Sequence, residues 1–296
     1  MTETMRFGLV GTGYWARETH ARAIAETDGV KLTAVWGRDP QAAAAIATQF
    51  GATPFTDFDE FLAMVDVVQF AVPPGVQSAL ALRAVRAGKH VLLEKPIAVS
   101  LAAADELADA VAEAGVSSVV FFTLLFDPRV RTIIATANEA GWSGGQGLWL
   151  GSALVDGNAF NTPWRHDRGA LWDLGPHALS VLWTTLGPVA SVTADAGESD
   201  LVHLTLHHRG GATSTASMTL HASDAADGFS TLLWGSAGRL AVPVDDVDSV
   251  DSLRTAIGEL VSNARAGRAE HPCDVGFGRD IVRVLAEAQA ALSERQ

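Results

Sequence analysis

The most constraining feature of the chain lies at its start. A short apolar run, Met5-Arg6-Phe7-Gly8-Leu9-Val10, passes directly into Gly11-Thr12-Gly13-Tyr14-Trp15-Ala16. The stretch after it, Arg17 to Glu26, has helical spacing, with Ala16, His20, Ala23 and Ile24 along one side. Strand, G-x-G-x-x-A, helix is the order that a dinucleotide-binding unit requires. Gly11 permits the tight turn, Gly13 lets the backbone approach a pyrophosphate, and Ala16 allows helix and strand to pack closely. The helix start offers free N–H groups to the phosphates. An ordinary glycine turn is the alternative, and the flanking strand and helix weigh against it.

The alternation continues. Strands are predicted over 30–36, 53–55, 65–72, 91–94 and 116–122, with helices over 41–50, from Asp57 to Met64, 76–87 and 100–114. Asp57 and Ser100 are placed to cap helices, and Gly51 and Gly115 to stop them. Such a rhythm predicts an α/β fold, an N-terminal Rossmann domain with a doubly wound parallel sheet over 1–122. After residue 122 the rhythm changes. A helix at 128–140 and a break at 141–145 precede strands at 146–155, 189–196, 201–208, 213–220, 230–234 and 239–244. Strands without intervening helices mean a large, mostly antiparallel open sheet. With closing helices at 250–265 and 274–293, residues 123–296 read as a C-terminal α+β domain whose last helix can pack back on the first. A hydrophobic content of 48% supports two full cores.

Composition also limits the partners. A net charge of −13 and the absence of any Lys/Arg cluster argue against nucleic acid. No apolar run nears the ~20 residues of a membrane span, and the N-terminus enters a strand too soon for a signal peptide. A single cysteine, Cys273, excludes an internal disulfide and a cysteine-based zinc site, which suits a cytoplasmic protein. His203, His207 and His208 lack a matching carboxylate and read as a polar sheet face, not a metal site.

Chemistry is carried by three clusters. Gly37 and Arg38 end the second strand, where an acid would hold the ribose hydroxyl of NAD; a small residue followed by Arg has room and charge for the 2′-phosphate of NADP. Asp39 is the counter-candidate, although with Pro40 behind it an N-cap is the better reading. The loop Val72-Pro73-Pro74-Gly75 lies at the same strand-end face. Second, Val91-Leu92-Leu93-Glu94-Lys95-Pro96 delivers a carboxylate and an ammonium to the end of a buried strand, where ligands bind in an open parallel sheet. A surface salt bridge is the bland alternative. Third, Asp173 and His177 lie four apart and share a face if the turn is helical, with Pro176 tolerable in a first helical turn. They suit an acid/base pair, or a capping Asp and a structural His. The upstream segment Trp164-Arg165-His166-Asp167-Arg168 reads as a loop that lines a substrate pocket or is plain surface.

In order, Gly11-x-Gly13-x-x-Ala16, Glu94-Lys95-Pro96 and Asp173-x-Gly175-x-His177 ahead of an antiparallel sheet resemble the Gfo/Idh/MocA family of oxidoreductases. The resemblance implies NAD(P)-dependent redox chemistry on sugars, cyclitols and related hydroxy compounds. It assigns Lys95 to the reacting oxygen and the nicotinamide side, His177 to acid/base work, Asp173 to its companion, and Pro96 to a corner with a cis bond. Substrate contacts then fall to Lys95, Trp164, Arg165, Asp173 and His177. Cofactor contacts fall to Gly11, Thr12, Gly13, Tyr14, Trp15, Ala16, Gly37, Arg38, Val72, Pro73, Pro74, Gln77, Glu94, Lys95 and Pro96. It also implies a homodimer or homotetramer formed through the C-terminal sheet. The chain departs from the family pattern at Gln77, where relatives often have His, at Leu124 and Leu125, where many have Arg, and at Ser180, where an acid often follows the histidine. These changes point to a less polar substrate pocket. The expectation is an NADP-preferring enzyme, with NAD possible, that moves a hydride between nicotinamide and a secondary alcohol or ketone. A non-catalytic NAD(P)-sensing regulator is the rival, and a reductase of apolar or aromatic carbonyl compounds a third reading.

Overall fold

The structure is a computed structural model that describes residues 3–138 and 141–294. Contacts divide the chain into two compact units, Met1–Phe121 with Asp248–Arg279 and Phe122–Val247 with Asp280–Gln296.

The first unit follows the predicted alternation. Its strands are β1 (Met5–Val10), β2 (Val30–Trp36), β3 (Thr53–Phe55), β4 (Val67–Phe70), β5 (His90–Glu94) and β6 (Ser118–Phe121). All pair in parallel, in the order β3-β2-β1-β4-β5-β6. That order reverses direction between β1 and β4, which opens a crevice at the carboxyl ends of the strands. Between them run α1 (a π-type stretch Ala16–Ala21 continuing as Arg22–Ala25), α2 (Pro40–Phe50), α3 (Phe58–Ala63), α4 (Pro74–Arg86) and α5 (Leu101–Ala114). Local chemistry sets their ends. Asp39, Asp57 and Ser100 accept backbone N–H bonds at the starts of α2, α3 and α5, while Gly51 and Gly115 close α2 and α5 in the left-handed region. Phe7, Leu9, Val10, Val67, Val68, Phe70, Leu92 and Leu93 are fully buried, as strands covered on both faces require.

One part of this unit comes from far down the chain. Helix α9 (Ser249–Arg265) packs on α1, β5 and β6 and buries Leu253, Ala256, Ile257 and Leu260. The 123–296 boundary therefore does not follow the compact units. The amphipathic pattern of α9 is plain in the sequence, but it does not say which sheet takes the apolar face.

In the second unit, a 3₁₀ turn (Thr123–Phe126) and α6 (Pro128–Asn138) lead into β7 (Trp142–Leu150). The sequence expectation for 139–140 lies outside the described residues. Next come α7 (Pro163–Asp173), α8 (Gly175–Leu186), β8 (Val189–Ala196), β9 (Val202–His208), β10 (Thr213–Thr219), β11 (Gly228–Gly235) and β12 (Gly238–Val242). The sheet order is β12-β11-β7-β10-β9-β8, antiparallel throughout except for the β7–β10 pair. Burial alternates along β9: Val202, Leu204, Leu206 and His208 are buried, His203 and His207 exposed. One face of the sheet is thus covered, and small residues let α8 approach it. A Cβ on Gly145 would lie 3.1 Å from Leu182 and Leu186. Helix α10 (Val275–Ser293) closes the chain. Among the described residues no helix is long and apolar enough to cross a membrane.

Candidate active site

At the β1–α1 turn, Gly11 has φ +128°, and a Cβ there would run into the carbonyl oxygen of Ala71. Only glycine fits. Gly13 is the opposite case: a Cβ would meet no atom within 4 Å, so open space lies over the turn. Tyr14 is 52% exposed at its rim, and Ala16 is fully buried beneath it. Open space above a glycine backbone at the start of a helix fits a pyrophosphate, and the donor set here therefore fits a dinucleotide.

At the end of β2, a Cβ on Gly37 would lie 2.5 Å from the Thr12 methyl group. A larger side chain there would have to displace Thr12. Arg38 is exposed. Asp39 caps α2, its Oδ1 accepting from the backbone N–H groups of Gln41 (2.8 Å) and Ala42 (3.4 Å).

Strand β5 ends at Glu94, and the Lys95–Pro96 peptide is cis. The corner is held from two sides. Gln77, fully buried on α4, donates through Nε2 to the Glu94 carbonyl (2.7 Å) and the Pro96 carbonyl (3.3 Å), and its Oε1 accepts the Glu94 N–H (2.8 Å). Gln77 therefore braces the corner's backbone. On the side-chain side, Glu94 Oε1 accepts from Trp15 Nε1 at 2.7 Å and lies 3.0 Å from His20 Nε2, while Oε2 accepts the Lys95 N–H at 3.1 Å. His20 Nδ1 lies 2.9 Å from the amide nitrogen of Gln69, which stands in β4. Burial alone would raise the Glu94 carboxyl. The His20 hydrogen bond, the charge of Lys95 and the Trp15 hydrogen bond outweigh it and hold the group below the ordinary glutamate value. Val72 is half-buried, Pro73 exposed and Pro74 buried at the start of α4.

In the second unit, the 164–168 segment is helical, not a loop. Thr162 has extended N-cap geometry and Pro163 takes the first position of α7, which suits its fixed φ. Gly169 (φ +65°, ψ −169°) breaks that helix before Asp173, and the Asp200 carboxylate accepts the following N–H, of Ala170, at 3.0 Å. Arg165 donates to Asp173 through Nε (2.6 Å) and through a second nitrogen (3.4 Å), and also binds the Phe160 carbonyl and the Thr162 hydroxyl. Its guanidinium lies 4.9 Å from the centre of the Trp164 ring. Arg165 therefore organises Asp173. His177 sits in the first turn of α8, after Pro176. Its ring is parallel to the indole of Trp149 on β7, with centroids 5.7 Å apart, and Trp149 in turn meets Phe229 of β11 at 5.0 Å.

The structure thus brings Trp15, Gln77, Glu94, Lys95 and Pro96 together within the first unit, and Trp164, Arg165 and Asp173 within the second. Sequence reasoning missed His20, Gln69 and Trp149. Gln69 left a usable signal, being the one polar residue of the strand Val67-Val68-Gln69-Phe70.

Comparison with known proteins agrees with this fold. The family model described as "Oxidoreductase family, NAD-binding Rossmann fold" matches residues 5–122, and the GFO/IDH/MocA C-terminal domain matches residues 146–241. Between them they take up most of the chain, which belongs to the Gfo/Idh/MocA oxidoreductase family. An uncharacterized oxidoreductase of Streptococcus pneumoniae is 36% identical over 115 residues, 38% of this chain and 30% of the relative. The inositol 2-dehydrogenase of Rhizobium meliloti is 29% identical over 220 residues, 70% of this chain and 66% of the relative. The match spans about a third of the length of the first curated relatives. An oxidoreductase domain protein from Kribbella flavida has the same fold, with a TM-score of 0.87 at 24% identity over 100% of this chain and 98% of that one.

Proposed function

We propose that the chain is an NAD(P)-linked oxidoreductase that interconverts a secondary alcohol and a ketone on a sugar, cyclitol or related hydroxy compound, with NADP as the preferred cofactor. The observation that carries this reading is the Trp15–Glu94 hydrogen bond, which ties the glycine turn to the strand end bearing Lys95. Gly11, Thr12, Gly13, Tyr14, Trp15 and Ala16 hold the pyrophosphate, Gly37 and Arg38 the adenosine ribose, and Val72, Pro73 and Pro74 the strand-end rim. When bound, the nicotinamide supplies or accepts the hydride. Lys95 hydrogen-bonds the reacting oxygen and stabilises charge developing there. His177 takes or gives the oxygen-bound proton, with Asp173 beside it in sequence and held by Arg165. The NADP preference is supported by three facts: Thr12 crowds position 37, Arg38 is exposed, and Asp39 caps α2. The aromatic pair Trp149 and Phe229 next to His177 favours a substrate with an apolar face. We assign the homodimer or homotetramer contact to the open face of the second sheet, where Leu148 and Trp234 are exposed.

The test is a fluorescence titration with NADPH and NADH, followed by a polyol and ketone panel. NADPH bound more tightly than NADH, with turnover on a panel member, is the expected result. NADH preference would move ribose recognition away from Arg38. Binding without turnover on any member would favour the regulatory reading, and binding of neither nucleotide would overturn the proposal.

A further inference from the structure

Two residues outside the expected site are built into it as deeply as any expected one. His20 and Gln69 are each 0% exposed, on α1 and on the otherwise apolar strand β4. Building on the NAD(P)-linked activity proposed above, we propose that His20, backed by Gln69, is a positioning residue for cofactor binding: it fixes the Glu94 carboxylate where that group can hold both the glycine turn and the lysine corner.

The geometry supports this step by step. Gln77 fixes only the backbone of Glu94, so its side-chain torsions need a separate restraint. The same oxygen, Oε1, meets both the imidazole Nε2 at 3.0 Å and the Trp15 indole N–H at 2.7 Å. Where His20 holds that oxygen is therefore where Trp15, and with it the glycine turn, comes to rest. An ionised carboxylate only accepts, so Nε2 carries the hydrogen and Nδ1 of the neutral ring accepts from the Gln69 amide. The ring itself is wedged edge-on between Trp15 (centroids 6.2 Å, 69°) and Phe121 (6.3 Å, 83°). The other Glu94 oxygen accepts the Lys95 N–H. One carboxylate thereby joins the cofactor turn to the corner that presents Lys95.

A space-filling role explains the pair less well. The Gln69 Oε1 is buried with no hydrogen-bond partner among the described residues. Stranding a polar atom in a core is unfavourable, and an apolar side chain would fill the same space without it. The arrangement makes sense if the amide nitrogen has to be delivered to His20.

The test uses the double variant His20→Leu/Gln69→Leu, which removes the relay without stranding either partner. The readouts are nucleotide affinity by fluorescence titration and the urea unfolding midpoint. The expected result is an NADPH dissociation constant raised about tenfold, the loss of one well-placed polar restraint, with the midpoint unchanged or higher. The single variant His20→Gln, whose amide N–H can reach the place of the imidazole Nε2, should recover affinity to within about threefold of wild type. A double variant that binds NADPH like wild type overturns the inference, as does an affinity loss that only tracks a lowered midpoint. Wild-type protein that binds neither nucleotide overturns the proposed activity and this inference together.

Discussion

The two units each hold a nearly buried carboxylate, and they hold it differently. Glu94, 14% exposed, is met by the Trp15 indole and the His20 imidazole, more than 70 residues earlier in the chain, and by the backbone N–H of the adjacent Lys95. Asp173, 7% exposed, is met by the guanidinium of Arg165, eight residues earlier and across the Gly169 break. A guanidinium is charged at every working pH, so Asp173 has a permanent counter-charge. Glu94 depends on directed hydrogen bonds together with the neighbouring charge of Lys95. The first arrangement couples distant parts of the fold, whereas the second anchors one helix end. Removing a partner should therefore disturb binding geometry in the first unit and stability in the second.

The largest effect should come from the groups these carboxylates serve. Lys95→Ala and His177→Ala should each lower kcat/KM by about 10²–10⁴-fold, the usual contribution of a positioned acid or base, while nucleotide titration stays near wild type. Steady-state kinetics on an accepted substrate checks this, and wild-type turnover in both variants would remove the assigned chemistry. Next in size is Arg165→Met. Breaking a buried ion pair from one side costs about 3–5 kcal/mol, and the 15% exposure of Arg165 puts this one at the lower end. Adding Asp173→Asn should restore much of that in urea unfolding. Glu94→Gln retains acceptor oxygen and should cost only about 1–2 kcal/mol. Equal losses for the two variants would mean that permanent charge is not what separates the sites. Smaller again is Arg38→Ala, expected to weaken NADPH binding about tenfold with NADH little changed. Equal weakening of both nucleotides would count against a 2′-phosphate contact.

The same contrast decides what the sequence makes legible. The Asp173 site is local: Arg165, Asp173 and His177 all fall within a single short stretch, and only the helical state of 163–173 was hidden, because Trp, Arg and His in a row carry no clear apolar period. The strands and caps of the first sheet were legible for the same reason, since Asp39, Asp57, Ser100 and Gly115 act on their immediate neighbours. The Glu94 site was half legible. Glu94-Lys95-Pro96 and the glycine turn announce themselves as motifs, but the bonds that join them cross 79 and 74 residues. No spacing rule reaches that far. His20 looked like one more buried position on a helix, and α9 showed an apolar face without its destination.

The smallest predicted effect separates the carboxylates from two histidines elsewhere in the fold. His208 is buried in the second unit, its Nδ1 2.6 Å from the Gly187 carbonyl and its Nε2 2.8 Å from the Ser214 hydroxyl. Burial lowers its affinity for a proton, with the His207 charge adding to this and the Gly187 carbonyl opposing it. His90 in the first unit is likewise depressed, mainly by burial and against the pull of Asp66. A histidine depressed by folding is bound more tightly by protons in the unfolded chain. Its stabilising contribution is complete above the unfolded value of about 6.5 and declines as pH falls toward the folded one. Glu94 has the carboxylate sign: its contribution is complete above about 4.3 and is lost only as pH falls through a still lower folded value. Between pH 7.5 and 5, then, the histidines govern the slope, at less than about 1.4 kcal/mol per pH unit each. Urea unfolding across that range should show stability falling with acid, a shallower fall in His208→Gln, and an unaltered slope in Glu94→Gln. A slope that flattens instead in Glu94→Gln would mean that the carboxylate titrates near neutrality and that the hydrogen bonds around it do not hold it ionised.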